Sequence, residues 1–368
     1  MPQYLGQTHF DHASAQRLGV LLVNLGTPDA PTPAAVRRFL AEFLWDPRVI
    51  ETPRWIWWLV LHGVILRIRP RRSAHAYQQI WTPEGSPLLV HCRQLAAKLQ
   101  AAIDVRMGLN AQVVLGMSYG NPSIPAALER LHGQGVRRLI VLSLYPQYSG
   151  TTTASVFDRV TSELQRWRWL PETRFIGGYH DESGYVAAIA ASIREHWRTQ
   201  ERRHLMFSFH GAPRAYLDAG DPYHCHCLKT ARLIAENLGL EAGEWTAAFQ
   251  SRLGRGEWLR PYTDETLKKF ASTGPKRITL VCPGFPTDNL ETLEENAIRN
   301  RADFLAAGGE AFDYIPALNS SEAHAAFLAD LVARHAQGWP ETSGGRVGNE
   351  LVGDIHTQER ARRAGAVR

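Results

Sequence analysis

Residues 205–213 read Leu205-Met206-Phe207-Ser208-Phe209-His210-Gly211-Ala212-Pro213. A short apolar run that closes on glycine and proline has the pattern of a buried β-strand. In open α/β sheets the carboxyl ends of the strands form the ligand crevice. His210 therefore stands where catalytic side chains stand, and the small Gly211 behind it would let a flat ligand approach. Position alone leaves two readings open. The imidazole works in a crevice, or it is a strand-end histidine bonded to a loop carbonyl.

Similar runs recur on both sides. Residues 19–25, 112–117, 138–145, 174–178, 245–250, 277–282 and 311–315 are rich in Val, Ile and Leu, and most close on Gly, Pro or a small polar residue. Helical patterns alternate with them at 34–43, 91–103, 124–132, 154–167, 185–198, 229–238 and 320–336. Strand–helix alternation implies βαβ units, right-handed crossovers and parallel sheets covered on both faces. The predicted class is α/β, as two units with four strands each, over 17–170 and 171–319. The last helix, 320–336, is expected to return to the first unit. Residues 338–368 carry little apolar content and read as a disordered tail.

Composition narrows the function. The chain has 368 residues, 44% hydrophobic and 21% charged, enough to bury a sizeable core. A net charge of +5, from 41 basic against 36 acidic residues, is no nucleic-acid signature, so no nucleic-acid partner is expected. The four cysteines, Cys92, Cys225, Cys227 and Cys282, are too sparse for a disulfide framework and fit a reducing compartment. The first residues are polar, unlike a signal peptide. No stretch reaches the ~18 apolar residues that span a bilayer. A cytoplasmic protein is expected.

A second distinctive stretch is 281–295, VCPGFPTDNLETLEE. A buried strand ends and a helix starts, with Thr287 or Asp288 as its expected cap. Glu291 and Glu295, four apart, share one helix face. Acids in a first turn also simply complement the helix dipole, and that reading suits Asp288 and Glu294.

These stretches, with LLVNLGTP at 21–28, Gly85-Ser86-Pro87 following Tyr77, GMSYGNPSI at 116–124, YPQYSGTTTAS at 145–155 and DPY at 221–223, resemble the ferrochelatases. The likeness runs in order from about residue 19 to about 336. It implies two similar Rossmann-like domains of chelatase type, each a four-stranded parallel sheet flanked by helices, with a porphyrin cleft between them. It implies ferrous iron and protoporphyrin IX as substrates and protohaem as product. It places His210 and Glu291 as the catalytic, metal-contacting pair, with Glu295 next on a cation or proton path. Arg69, Tyr77, Tyr119, Tyr145 and Thr151 fall on porphyrin-binding positions. Imidazole suits proton transfer because its pKa of ~6.5 lies near neutrality.

The sequence departs from the family pattern in places. Asn289 stands where many relatives have a second histidine. The acidic row runs Glu291, Glu295 and then Arg299. Gly150 occupies the loop position where some relatives carry an iron–sulfur cysteine, so no cluster and no resident cofactor are expected. The run His224-Cys225-His226-Cys227 places four donors consecutively, a spacing from which one segment cannot wrap a single ion. Coproporphyrin, another tetrapyrrole with another metal, and a non-catalytic porphyrin or haem carrier stay open as alternatives; a carrier would be expected to lose the His–Glu pair.

Residues 55–61, with Trp55, Trp57, Trp58, Leu59 and Leu61, are the most aromatic stretch. They read either as a buried helix or as an exposed lip that grips the macrocycle and touches a membrane surface. The lip is the expectation. Basic residues flank it at Arg54, Arg67, Arg69, Arg71 and Arg72.

Overall fold

The structure, a computed structural model, describes residues 4–6, 17–107, 111–252, 256–339 and 355–366. Two four-stranded sheets organise it. In the first, β1 (Arg17–Thr27) lies between β2 (Ala111–Gly120) and β3 (Val136–Ser143), with β4 (Glu172–Ile176) outside β3. In the second, β5 (His204–His210) lies between β6 (Trp245–Gln250) and β7 (Arg277–Val281), with β8 (Ala311–Ile315) outside β7. Every pairing is parallel. Both sheets thus run second–first–third–fourth. All the strands expected from the sequence are present, with ends shifted by up to three residues.

The reason they were legible lies in their burial. Leu18, Val20, Leu21, Leu22 and Val23 are all fully buried, without the alternation of a one-sided sheet. Helices cover both faces, so a central parallel strand needs apolar residues throughout. Each such side chain contributes about 1.5–3 kcal/mol by leaving water.

This strand order has a functional consequence. The chain leaves the first strand of each sheet to one side and returns across it to the other, so the order reverses between β1 and β3 and between β5 and β7. Ligands bind at such switch points. The segment 24–28 ends β1, 144–152 follows β3, His210 ends β5 and 282–289 follows β7. The family-like segments therefore flank the two switch points. Direct bonds bring these strand ends together. Asn24 Nδ2 donates to Thr287 Oγ1 at 3.0 Å, and Gln147 Nε2 donates to the Pro283 carbonyl at 3.3 Å.

The helix Glu322–Ala336 packs on the helix Pro87–Met107 and on β3, and also on the helix Ser183–Thr199. One continuous core runs from Leu18 and Ile140 of the first sheet through Leu328 and Val332 to Phe207 and Val281 of the second.

Three features differ from the sequence reading. A continuous helical arm, Arg54–Val60, a π-helical turn Leu61–Ile65 and Leu66–Ile80, was not recognised as helix along its whole length. Pro70 lies inside it and removes one backbone donor, which masks the helical pattern. Within the stretch read as a disordered tail, Ile355–Arg363 is helical; its Gln, Glu, Ala and Arg are strong helix formers. Gly211, finally, is not small for a ligand's sake. A Cβ there would lie 2.7 Å from the Gln250 carbonyl oxygen and 3.1 Å from Cε3 of Trp258, so β6 and the Trp258 ring occupy that space.

Candidate active site

His210 closes β5 and is half-buried. Its Nδ1 lies 2.6 Å from the Gly211 carbonyl oxygen. A carbonyl only accepts, so Nδ1 carries the proton and Nε2 keeps its lone pair in the neutral ring. The loop-carbonyl bond thus makes the imidazole a proton acceptor of fixed tautomer, and the two sequence readings coincide. The Tyr223 hydroxyl donates to the His210 carbonyl at 3.0 Å, which anchors the backbone beneath the ring.

Glu291 opens a π-helical segment, Glu291–Asn300. Such wide turns are rare and concentrate at functional sites. Its carbonyl accepts from Gln250 Nε2 at 3.1 Å and from Asn296 Nδ2 at 3.2 Å. Asn296 Nδ2 also donates to Gln250 Oε1 at 2.6 Å, and Ser208 Oγ donates to the same oxygen at 2.6 Å. Side chains from β5 and β6 thereby secure the backbone that carries Glu291. Its carboxyl is pushed above the usual range, first by desolvation and further by Glu295, while His210 and Arg69 oppose the rise. His210, Glu295 and Arg69 therefore all lie within its electrostatic reach.

Glu295 shares the Glu291 face. It accepts from the Ser251 amide at 3.0 Å and from the Ser251 hydroxyl. Arg299 turns aside from this row: its guanidinium bonds Glu294 at 3.2 and 3.4 Å and stays 4.0 Å from Glu295. Five-residue spacing is the natural contact of a π-helix, so the widened turn favours Glu294.

The helix cap also differs from the expectation. Asn289 Oδ1 accepts from the Thr292 amide at 3.0 Å, and Thr292 Oγ1 accepts from the Asn289 amide at 2.9 Å. Asp288 is buried and otherwise engaged, accepting from Asn319 Nδ2 at 2.7 Å and from the Thr292 and Tyr314 hydroxyls.

Arg69 is half-buried beside Glu291, whereas Arg67, Arg71 and Arg72 are exposed. Desolvation lowers the Arg69 pKa, and Glu291 counteracts this. Tyr77 is buried with its hydroxyl bonded to Thr27; burial, and then Glu291, raise its pKa. Thr27 Oγ1 donates in turn to Ser86 Oγ at 2.8 Å, which accounts for the Gly85-Ser86-Pro87 segment. Gly26, just before, is at φ +107° with the Tyr119 carbonyl oxygen 1.7 Å from where a Cβ would stand, so only glycine fits.

Tyr119 sits further back than expected. It is 1% exposed, and its hydroxyl donates to Asp46 Oδ2 at 2.9 Å. Arg159 lies 4.4 Å over its ring. Tyr145 is half-buried and within electrostatic reach of Tyr119 and Cys92; burial raises its pKa. Thr151 lies in the loop after β3, with its hydroxyl 3.1 Å from Ser149 Oγ. The structure thus gathers Arg69, Tyr77, His210, Glu291 and Glu295 in one charge-coupled cluster. Tyr119 stands behind it, and Tyr145 and Thr151 are on the neighbouring loop after β3.

The cysteines lie on different elements, Cys92 on the helix Pro87–Met107, Cys225 and Cys227 on the helix Tyr223–Leu238 and Cys282 directly after β7. Cys92, Cys227 and Cys282 are buried apart from one another, and burial raises their thiol pKa values, that of Cys92 to about 11. The four consecutive donors diverge around the helix Tyr223–Leu238. The His224 ring stacks on Phe249, Cys225 is exposed, the His226 ring stacks on His180 at 3.6 Å, and Cys227 is buried. Among the described residues no group of three or more His, Cys, Asp or Glu is placed to hold a metal ion.

Sequence reasoning missed the residues that join the two halves: Asn24, Gln147 and Asp221. Their signal was present, since each lies inside a family-like segment, but their partners are far away in the chain.

The twin sheets define the protein's class, a chelatase-type α/β fold. It matches the solved structure of SirB from Bacillus subtilis with Fe3+, with a TM-score of 0.52 at 11% identity, covering 91% of this chain and 100% of that one. Within this class the chain belongs to the ferrochelatase family, whose profile matches residues 17–336. It is 55% identical over 360 residues to the ferrochelatase of Nitrosococcus oceani, covering 98% of this chain and 97% of that one. To the ferrochelatase of Thioalkalivibrio sulfidiphilus it is 54% identical over 341 residues, covering 92% of each.

Proposed function

We propose that the protein inserts ferrous iron into protoporphyrin IX to form protohaem. The observation that carries this is that His210, its Nε2 lone pair available, lies within electrostatic reach of the desolvated Glu291 where the two switch points meet. The halves 17–170 and 171–319 act as two walls of one cleft.

Insertion of Fe²⁺ releases two pyrrole protons. His210 Nε2 accepts a proton from the ring nitrogens, because Nδ1 is already engaged by Gly211. Glu291 approaches from the opposite side. Its raised pKa lets it exchange protons nearer to neutrality than an ordinary carboxyl, while its charged form favours the incoming cation. Glu295 is the next carboxylate outward. A flat macrocycle hides its nitrogen lone pairs, so the site binds it bent, with strain of ~1–5 kcal/mol supported by contacts to its remote parts. Arg69 pairs a carboxylate, Glu291 before the ring enters and a propionate afterwards. Tyr77, Tyr145 and Thr151 border the ring, and Tyr119 supports them from behind. No resident cofactor is needed, and iron is a substrate.

The arm at the cleft edge exposes Trp55 at 72%, Trp58 at 52%, Leu59 at 56% and Ile68 at 70%. Trp57 instead turns inward and donates to the Leu44 carbonyl at 2.6 Å, and Leu61 is buried. An exposed apolar patch of this kind, beside the exposed Arg67, Arg71 and Arg72, suits peripheral contact with an anionic membrane on the cytoplasmic side, where an apolar porphyrin partitions. No helix among the described residues is long and apolar enough to cross a membrane.

The test is direct. Purified protein is mixed anaerobically with Fe²⁺, or with Zn²⁺, and with protoporphyrin IX and coproporphyrin in turn, and absorbance is followed. Metallation of protoporphyrin IX supports the proposal. Turnover of coproporphyrin alone, or binding without metallation, would replace it with the corresponding alternative.

A further inference from the structure

The segment Asp221-Pro222-Tyr223 lies outside the charge cluster, yet its polar atoms point to both sides of the cleft. Asp221 Oδ2 accepts from Ser149 Oγ at 2.9 Å and from the Gly150 amide at 2.7 Å. Its Oδ1 accepts from the Tyr223 amide at 2.9 Å. Both carboxylate oxygens are therefore used. Among the described residues Asp221 has no ion-pair partner, so its charge is directed at the loop after β3 and at its own helix start.

That loop belongs to the first half, and Asp221 belongs to the second. More bonds join them: the Tyr148 amide donates to His226 Nδ1 at 3.3 Å, and Gln147 Nε2 donates to Thr230 Oγ1 at 3.0 Å. The same helix then reaches the other wall, through the bond from the Tyr223 hydroxyl to the His210 carbonyl. Three consecutive residues thus connect the loop bearing Tyr145 and Thr151 to the backbone of the proton acceptor. Hydrogen bonds to an ionised acceptor are stronger than neutral ones, so the arrangement is stiff where Asp221 holds the loop.

We propose that Asp221 and Tyr223 are positioning residues, a brace that sets the Thr151 loop against His210. Neither touches the reacting atoms. The proposal rests on the roles given above to His210 and to that loop, and it separates two effects: Asp221 governs how the porphyrin is held, and Tyr223 governs how His210 is aimed.

The experiment compares Asp221→Ala, Asp221→Asn and Tyr223→Phe with the unmodified protein, each checked for folding by circular dichroism. Turnover is measured against protoporphyrin IX and against Fe²⁺ separately. Protoporphyrin IX binding without metal is measured by tryptophan quenching. Asp221→Ala should raise the porphyrin KM and Kd by about tenfold and leave the iron KM unchanged. Asp221→Asn, which keeps one acceptor oxygen, should fall between it and the unmodified protein. Tyr223→Phe should lower kcat by about fivefold at unchanged porphyrin Kd. Porphyrin and iron KM values rising together, or Asp221→Ala binding porphyrin normally, would overturn the brace. The binding arm reads the brace even in a protein that metallates nothing, so the two ideas fail separately.

Discussion

Replacing Glu291 by glutamine removes one charge and one titrating proton while keeping the shape of the side chain. The helix should survive, because Gln250 and Asn296 bond the Glu291 carbonyl and not its side chain. Two consequences follow, with opposite signs. Loss of a proton-transfer group slows turnover by roughly 10²–10⁴, or about 3–5 kcal/mol of barrier. Stability moves the other way. The Glu291 carboxyl is raised by desolvation, with Glu295 adding to the rise. A raised carboxyl stabilises the fold below its unfolded pKa of ~4.3, and that contribution is lost as pH rises through the folded value. At neutral pH the native protein therefore bears the cost of either charging or protonating this desolvated group, which glutamine lacks. The Tm of Glu291→Gln should exceed that of the unmodified protein at pH 7, and the gap should close as the pH falls below about 4. Glu294→Gln is the control. It breaks only the partly exposed pair with Arg299, worth about 0–1 kcal/mol, and should keep activity within about twofold. Metal-insertion assays and thermal melts across pH measure both effects. Equal turnover in the two variants, or a Glu291→Gln protein that is less stable than the native one at neutral pH, would refute the reasoning.

His210→Ala should reduce metal insertion by about 10²-fold or more while leaving the protein folded; near-native turnover would remove His210 from its role. Trp55→Ser with Trp58→Ser should weaken salt-sensitive sedimentation with anionic vesicles and raise the porphyrin KM more than the iron KM, with little change in Tm, because both side chains are exposed. Vesicle binding that survives the double change would assign the arm another purpose. Protein purified anaerobically should lack the visible absorption of an iron–sulfur cluster, and stoichiometric iron with sulfide would contradict the reading of its buried thiols.

The central strands β1 and β3 were legible along the chain because they are buried on both faces, which demands a nearly uninterrupted apolar run, whereas the edge strands β4 and β8 are only partly buried. Their parallel, twofold arrangement followed from the alternation with helices. Position at the end of a sheet made His210 a candidate with two readings open, and only the likeness to the ferrochelatases singled out His210 and Glu291 as a pair. The arm was half-legible: its tryptophans were evident, but Pro70 hid the helix, and which tryptophan faces solvent depended on the Leu44 carbonyl that captures Trp57. Other features were decided by contacts between distant residues. The role of Gly211 depends on Trp258, 47 positions further on, and that of Asp288 on Tyr314 and Asn319. The brace at Asp221 acts on a loop more than 70 positions away, at sequence separations of 71 and 72. Local pattern records what a residue needs from water and from its neighbours in the chain. A side chain's bonding partner is chosen only when folding brings a remote donor and acceptor within about 3 Å, and the electrostatic coupling of His210 with Glu291, 81 positions apart, likewise arises only in the folded chain.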